Sequence, residues 1–176
     1  QNAVLYLNKA KDKGELLAYG NLATLYQRGD ALPKDEKKAV ELLTYLADRG
    51  DAIGAYNLAL AYAQGLGVKQ NKTKSIQYLK KSAEGGLATA QQMYGSMLYN
   101  GNEIPANIPE AIRYLNLAAE QDDAKSQAIL GGLYGTDNPY VKKDPKLAFK
   151  WTERAAKNND LDAIGNLGWM YVQGEG

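Results

Sequence analysis

The chain has 176 residues, 45% of them hydrophobic and 23% charged, and its 21 Lys and Arg offset 20 Asp and Glu to leave a net charge of +1. It contains neither Cys nor His, which removes disulfides, thiolate and imidazole metal sites, Cys nucleophiles and Ser-His-Asp relays together. So small a net charge gives no general attraction to nucleic acid or an anionic membrane, and no apolar run reaches the ~20 residues that a bilayer span needs.

From the N-terminus, Ala3 is followed three residues later by Tyr6, and the segment closes on Gly14. The pattern returns as Ala39 and Leu42 closing on Gly50, Ser75 and Tyr78 on Gly86, Ala111 and Tyr114 on Asp122, and Ala148 and Trp151 on Asn159. Between these segments stand Leu22, Leu58, Tyr94, Leu130 and Leu167, at spacings of 36, 36, 36 and 37. Each is followed by Ala or Gly and, four residues on, by Tyr26, Tyr62, Leu98, Tyr134 or Tyr171. A fixed period decides the fold class before any local propensity does. The added residue of the fourth interval falls between Tyr134 and Val141, in the turn-rich stretch Gly135-Thr136-Asp137-Asn138-Pro139-Tyr140.

Apolar positions at i, i+3, i+4 and i+7, as in Ala39-Leu42-Leu43-Leu46, have the 3.6-residue period of a helix with one buried stripe. Each unit therefore reads as two helices. Asp35, Asn71, Asn107 and Asp144 recur just before the second helix as N-cap acceptors; Pro145 suits N1, and Asn107 with Glu110 has capping-box spacing. The closing Gly residues suit the left-handed position after a helix. The domain expectation is one array over 1–176: a partial second helix at 1–14, full units at 15–50, 51–86, 87–122 and 123–159, and a partial first helix at 160–176, with the array continuing at both ends because a lone half-unit leaves an apolar face wet.

Ala163, Leu167, Gly168, Tyr171, Gly174 and Gly176 near the C-terminus, Gly65-Leu66-Gly67-Val68, and Lys143-Asp144 with Ala148, Trp151, Ala155 and Ala156 together resemble the Sel-one-like repeat (SLR) family, a relative of the tetratricopeptide repeat. The period separates it from the tetratricopeptide unit of about 34 residues. The pattern is broken at Gly54 and Ser126, at Tyr94, at Asp137, and at Asp122 and Asn159. The resemblance implies an all-α, right-handed α/α superhelical solenoid of about four and a half helix-turn-helix repeats, with first helices on the concave face and second helices on the convex one. It also implies a non-catalytic scaffold or adaptor that binds a partner protein or peptide in the concave groove, and a bacterial periplasmic or secreted setting in preference to the cytoplasm. The rivals are an accessory or inhibitory subunit capping an enzyme or toxin, and a reader of RNA or of envelope polysaccharide. RNA is disfavoured because no concave column is strongly basic.

On each first helix, the positions two and five residues to either side of the signature residue face away from the second helix. The partner-binding candidates among them are Leu17, Thr24, Gln27, Ile53, Tyr56, Leu60, Gln92, Tyr99 and Trp169, since apolar and aromatic anchors dominate interface energetics. Exposed ends give a second expectation, end-to-end self-association. Lysines gather at the loop inside each unit, including Lys34, Lys37, Lys38, Lys69, Lys72 and Lys74, and read as a solvated edge. Gly65-Leu66-Gly67 follows a helix and recurs in register, which argues against a dinucleotide loop. Asp122-Asp123 and Asp160 with Asp162 sit at turns where Asp bonds locally, so no catalytic, cofactor or metal residue is assigned.

Overall fold

The structure is a computed structural model that describes residues 2–174; Gln1, at the start of the first expected helix, and Gly176, the last glycine of the terminal motif, lie outside the described residues. The described residues form α1 (Asn2–Asp12), α2 (Leu16–Arg28), α3 (Glu36–Asp48), α4 (Ala52–Gln64), α5 (Lys72–Glu84), α6 (Ala88–Asn100), α7 (Ile108–Glu120), α8 (Ala124–Gly135), α9 (Pro145–Lys157) and α10 (Leu161–Gln173). The chain divides into two compact units, residues 1–87 and 88–176. Within each, every helix packs against the next in chain order, which is the side-by-side stacking of an α/α solenoid.

The helix boundaries are set by local chemistry. Before the second helix of each pair, the side chains of Asp35, Asn71, Asn107 and Asp144 accept the backbone N–H of Lys38, Lys74, Glu110 and Leu147 at 2.9–3.3 Å. The N–H of each cap residue donates in turn to the carbonyl of Tyr26, Tyr62, Leu98 or Tyr134, the last core residue of the preceding helix. One short polar residue thus starts a helix and pins it to its partner. Glu110 completes the capping box by accepting from the Asn107 side-chain amide at 3.0 Å; the usual box has the cap residue's backbone N–H as that donor.

The turns between pairs use a second device. The N–H groups of Glu15, Asp51, Leu87, Asp123 and Asp160 donate to the carbonyls of Ala10, Leu46, Ser82, Ala118 and Ala155, six-to-one bonds that close each second helix around one left-handed residue. Asp122 and Asn159 occupy that position at φ 65° and 63°, and both are side chains that tolerate it. The turn also ends in an acceptor: Asp51, Asp123 and Asp160 cap α4, α8 and α10 at 2.6–2.9 Å.

Packing then follows the 36-residue register. In the first unit Ala23, Ala39, Leu43, Leu46, Ala47, Ala55 and Leu58 are buried together, with Tyr26 and Tyr62 against them. In the second, Leu115, Ala119, Leu130, Leu133 and Trp151 form the equivalent core. Removing a fully buried side chain such as Leu58 or Leu130, by substitution with Ala, costs about 2–5 kcal/mol. Small residues set the helix separation. A Cβ on Gly131 would come 2.6 Å from the Thr152 hydroxyl, and one on Gly54 2.5 Å from the Leu46 Cβ, so α8 approaches α9, and α4 approaches α3, at glycine contact distance. Gly54, a departure from the repeat pattern, is therefore a packing requirement.

Candidate functional site

The nine candidate residues lie on first helices, as the register places them. Leu17, Thr24 and Gln27 are on α2; Ile53, Tyr56 and Leu60 on α4; Gln92 and Tyr99 on α6; Trp169 on α10. Their environments differ. Leu17 is 75% exposed, Ile53 61% and Trp169 65%, while Tyr99 sits at the edge of exposure; Thr24, Gln27, Tyr56, Leu60 and Gln92 are half-buried. Two of these have polar groups committed inside their own helix: the Thr24 hydroxyl donates to the Gly20 carbonyl at 3.0 Å, and the Gln92 amide to Ser96 Oγ at 2.9 Å.

In the first unit the register brings two groups together. Leu17 lines a shallow cleft of about 490 Å³ with Tyr6, Leu7 and Ala10 of α1. Gln27 of α2 and Asn57, Leu60, Ala61 and Gln64 of α4 line a second, narrower cleft of about 310 Å³ together with Lys34, Glu36 and Leu66. Lys34 Nζ lies 2.8 Å from Glu36 Oε1. The hydrogen bond from Lys34, with a smaller contribution from the backbone N–H of Gly67, holds the Glu36 carboxyl below the usual carboxylate range. The two charges of this cleft satisfy each other, so its remaining recognition groups are neutral amides and apolar side chains.

Gly67 fixes the loop that closes this cleft. It takes φ 70°, and a Cβ there would overlap the carbonyl of Glu36 and approach the Lys37 nitrogen to 2.9 Å. The Gly65-Leu66-Gly67-Val68 stretch is thus laid against the first turn of α3 by backbone contact that leaves no room for a side chain.

Asn57, Ala61 and Gln64 line the cleft and are omitted by the outward-position rule; of these, Asn57 carries a sequence signal. It precedes the signature Leu58, and Asn recurs at the same register as Asn21 and Asn166; that recurrence is the signal that would have found it.

In the second unit the polar arrangement with most internal bonds is structural. Arg154 donates to Glu120 at 3.1 Å and to Asp122 at 2.9 Å. Gln127, fully buried, donates to the Ala119 carbonyl and accepts from Asn158, both at 2.9 Å. The hydrogen bond from Arg154, followed by that from Asn158, holds the Asp122 carboxyl below the usual range. Asp122 is therefore a fixed anion at a turn. Among the described residues no cluster of three or more Asp, Glu, Cys or His could hold a metal ion, and no helix is long and apolar enough to cross a membrane.

The family profile described as Sel1 repeat matches residues 16–51, 52–87, 88–123 and 124–160, each frame starting one residue later than the sequence reading set it. No curated protein is matched. Among solved structures, a Sel1 repeat protein from Oxalobacter formigenes is 30% identical with a TM-score of 0.90, over 96% of this chain and 48% of its own. A protective antigen of uropathogenic Escherichia coli with an SLR fold is 29% identical with a TM-score of 0.78, over 97% of this chain and 37% of its own. The cysteine rich protein B of Helicobacter pylori is 27% identical with a TM-score of 0.56, over 79% of this chain and 99% of its own. The chain thus spans less than half the length of the first two.

Proposed function

The chain belongs to the Sel1 repeat family, and from that premise we propose that it is a non-catalytic binding module whose first helices engage a partner protein. The observation that carries this reading is in the first unit. Leu17 and Ile53, 36 residues apart at the same repeat position, both hold large aliphatic side chains in water, and half-buried Tyr56 and Leu60 follow Ile53 along α4. Exposure of one such side chain is ordinary. Two in register on successive first helices that also contribute to a mixed cleft supply apolar anchors and neutral polar groups, the composition that protein interfaces favour at their centre. In the second unit, Tyr99 and Trp169 supply the corresponding aromatic anchors.

The test is site-specific photo-crosslinking in the source cells, with a photoreactive residue at Ile53 and, as reference, at Glu41, which is exposed on the second helix α3. Crosslinking to a discrete protein from Ile53 and not from Glu41 supports the reading. In the reconstituted pair, Leu17→Ser with Ile53→Ser weakens binding ten-fold or more, at about 1.4 kcal/mol per decade, with helical content unchanged. Equal crosslinking from both positions, or affinity indifferent to the double substitution, contradicts it.

A further inference from the structure

The loop inside a repeat meets the second helix of the repeat before it in two different ways. At Gly67 the loop lies on the first turn of α3, with no room for a Cβ beside the Glu36 carbonyl. Counting back from Val141 as from Val68, Tyr140 holds the position of Gly67, while Ile108 and Pro109 hold those of Glu36 and Lys37. There the junction stands open. Tyr140 lines a cleft of about 510 Å³ with Ile108 and Pro109, and buried Tyr94 and Leu98 contribute to the same lining, which includes no charged side chain. The Tyr140 ring stays 54% exposed, on a loop that Asn138 holds in place. The Asn138 amide donates to the Leu133 and Thr136 carbonyls at 2.8 and 3.0 Å, and its Oδ1 accepts the N–H of Tyr140 and of Val141 at 3.0 and 3.1 Å. An exposed ring on a fixed backbone has little freedom left to lose on binding, so its burial is retained as affinity.

Beyond Tyr140 the loop turns basic. Lys142 and Lys143, with Lys146 from the first turn of α9, line a neighbouring open cleft of about 700 Å³ whose one acidic side chain is Asp144. Asp144 is committed to capping α9 through the Leu147 N–H at 3.0 Å. Lys143 has a loose partner in Asp137, 3.7 Å away and 89% exposed, whereas Lys142 and Lys146 are exposed and form no ion pair among the described residues. Ammonium groups at a helix N-terminus oppose the macrodipole, so the stability of α9 does not call for them. We propose that this loop edge of the second unit docks an extended acidic segment of a partner protein, with one aliphatic side chain in the Tyr140 cleft and carboxylates on Lys142 and Lys146. Charge complementarity names the occupant: the uncharged cleft takes the apolar residue and the unpaired lysines take the anions. Tyr140 and Lys142 are two residues apart, a separation that an extended ligand rising ~3.3 Å per residue spans in about as many. The site goes beyond the first-helix reading, since Tyr140 and the three lysines lie on none of the outward first-helix positions.

The experiment titrates the whole isotope-labelled chain with acetyl-Glu-Glu-Gly-Leu-Gly-Glu-Glu-amide, acidic on both sides of its one aliphatic residue, and follows the backbone amide resonances. Saturable shifts at Ile104, Ile108, Tyr140 and Lys142 are expected, with a Kd on the order of 0.1 mM that rises with added salt. Affinity should fall about ten-fold in Tyr140→Ser, in Lys142→Gln with Lys146→Gln, and for the peptide with Gly in place of Leu. Lys37→Gln with Lys69→Gln, two lysines also exposed at a loop edge but beside the closed Gly67 junction, should leave it unchanged. All of these side chains are exposed, so each variant keeps the circular dichroism of the parent. Equal losses in the two lysine pairs, or undiminished affinity for the peptide without Leu, overturn the proposal by showing a general attraction of anions to lysine. An oligouridylate that binds the same residues more tightly than the peptide also overturns it and assigns the edge to a nucleic acid. The crosslink at Ile53 reads α4 instead, so a failed titration leaves the first-helix reading standing and a failed crosslink leaves the loop-edge site standing.

Discussion

Substituting Gly67 with Ala isolates backbone contact as the element that shapes the cleft. Two costs add there. Holding a residue with a Cβ at φ 70° costs about 1–2 kcal/mol. The new methyl also overlaps the backbone of Glu36, which a rotamer change cannot relieve, and overpacking of this kind costs about 1–3 kcal/mol. The expected destabilisation is therefore about 2–5 kcal/mol, a lowering of the urea midpoint by roughly 1–2 M at an m-value of about 2–3 kcal/mol/M. Two control positions remove the second cost. Gly65 has φ 77°, and a Cβ there meets Gln70 at an ordinary 3.5 Å; Gly50 has φ 81° with nothing within 4 Å. Gly65→Ala and Gly50→Ala should each cost only about 1–2 kcal/mol. Urea unfolding followed by far-UV circular dichroism gives the three values, and amide exchange at the first turn of α3 reports where Gly67→Ala acts. Three equal destabilisations, or unchanged exchange at Lys37 and Lys38, would show that the loop is not held against α3 by direct backbone contact.

Other substitutions test the remaining features. Tyr114 is buried with a hydroxyl that has no hydrogen-bond partner, so Tyr114→Phe should leave stability unchanged or raise it by up to about 1 kcal/mol; a clear loss in thermal unfolding would point to a bonded hydroxyl. Gln127→Leu leaves the Asn158 amide and the Ala119 carbonyl short of a partner and should cost about 1–3 kcal/mol by urea titration, whereas a neutral result would mean that water takes its place. The depressed Asp122 pKa makes its contribution complete above the unfolded value, near pH 4, and lost as pH falls through the lower folded value. Asp122→Asn keeps a side chain that tolerates φ 65° and removes the charge. It should be less stable than the parent at neutral pH and converge with it in strong acid, and a gap that persists at low pH contradicts the charge assignment.

The fold was legible because its determinants are local and repeated. The caps at Asp35, Asn71, Asn107 and Asp144, the left-handed closers Gly14, Gly50 and Gly86, and the insertion between Tyr134 and Val141 are each fixed within a few residues. Each was readable in the sequence, since capping and turn chemistry act over one helical turn. The second cap series is less legible: Asp123 and Asp160 stand at turns where Asp bonds locally, and their side chains start α8 and α10.

The candidate surface was legible only in part. Register alone assigned Leu17, Ile53 and Trp169 to outward positions, and they are exposed. It could not tell that Thr24 and Gln92 spend their polar groups inside their own helices, because outward direction says nothing about hydrogen-bond partners. The outward-position rule passes over Asn57, which flanks the buried stripe, although its recurrence at the register of Asn21 and Asn166 stands in the sequence; whether such a residue is open depends on what the neighbouring helix and loop leave uncovered. The sequence by itself determined the period, the helix pairs and their ends, because these follow from hydrogen bonds between near neighbours along the chain. Only the tertiary structure decided that Gln27, Asn57 and Leu66 share one cleft, because residues up to 39 positions apart meet there through the helix separation that small side chains allow and the backbone contact at Gly67 that turns the loop inward.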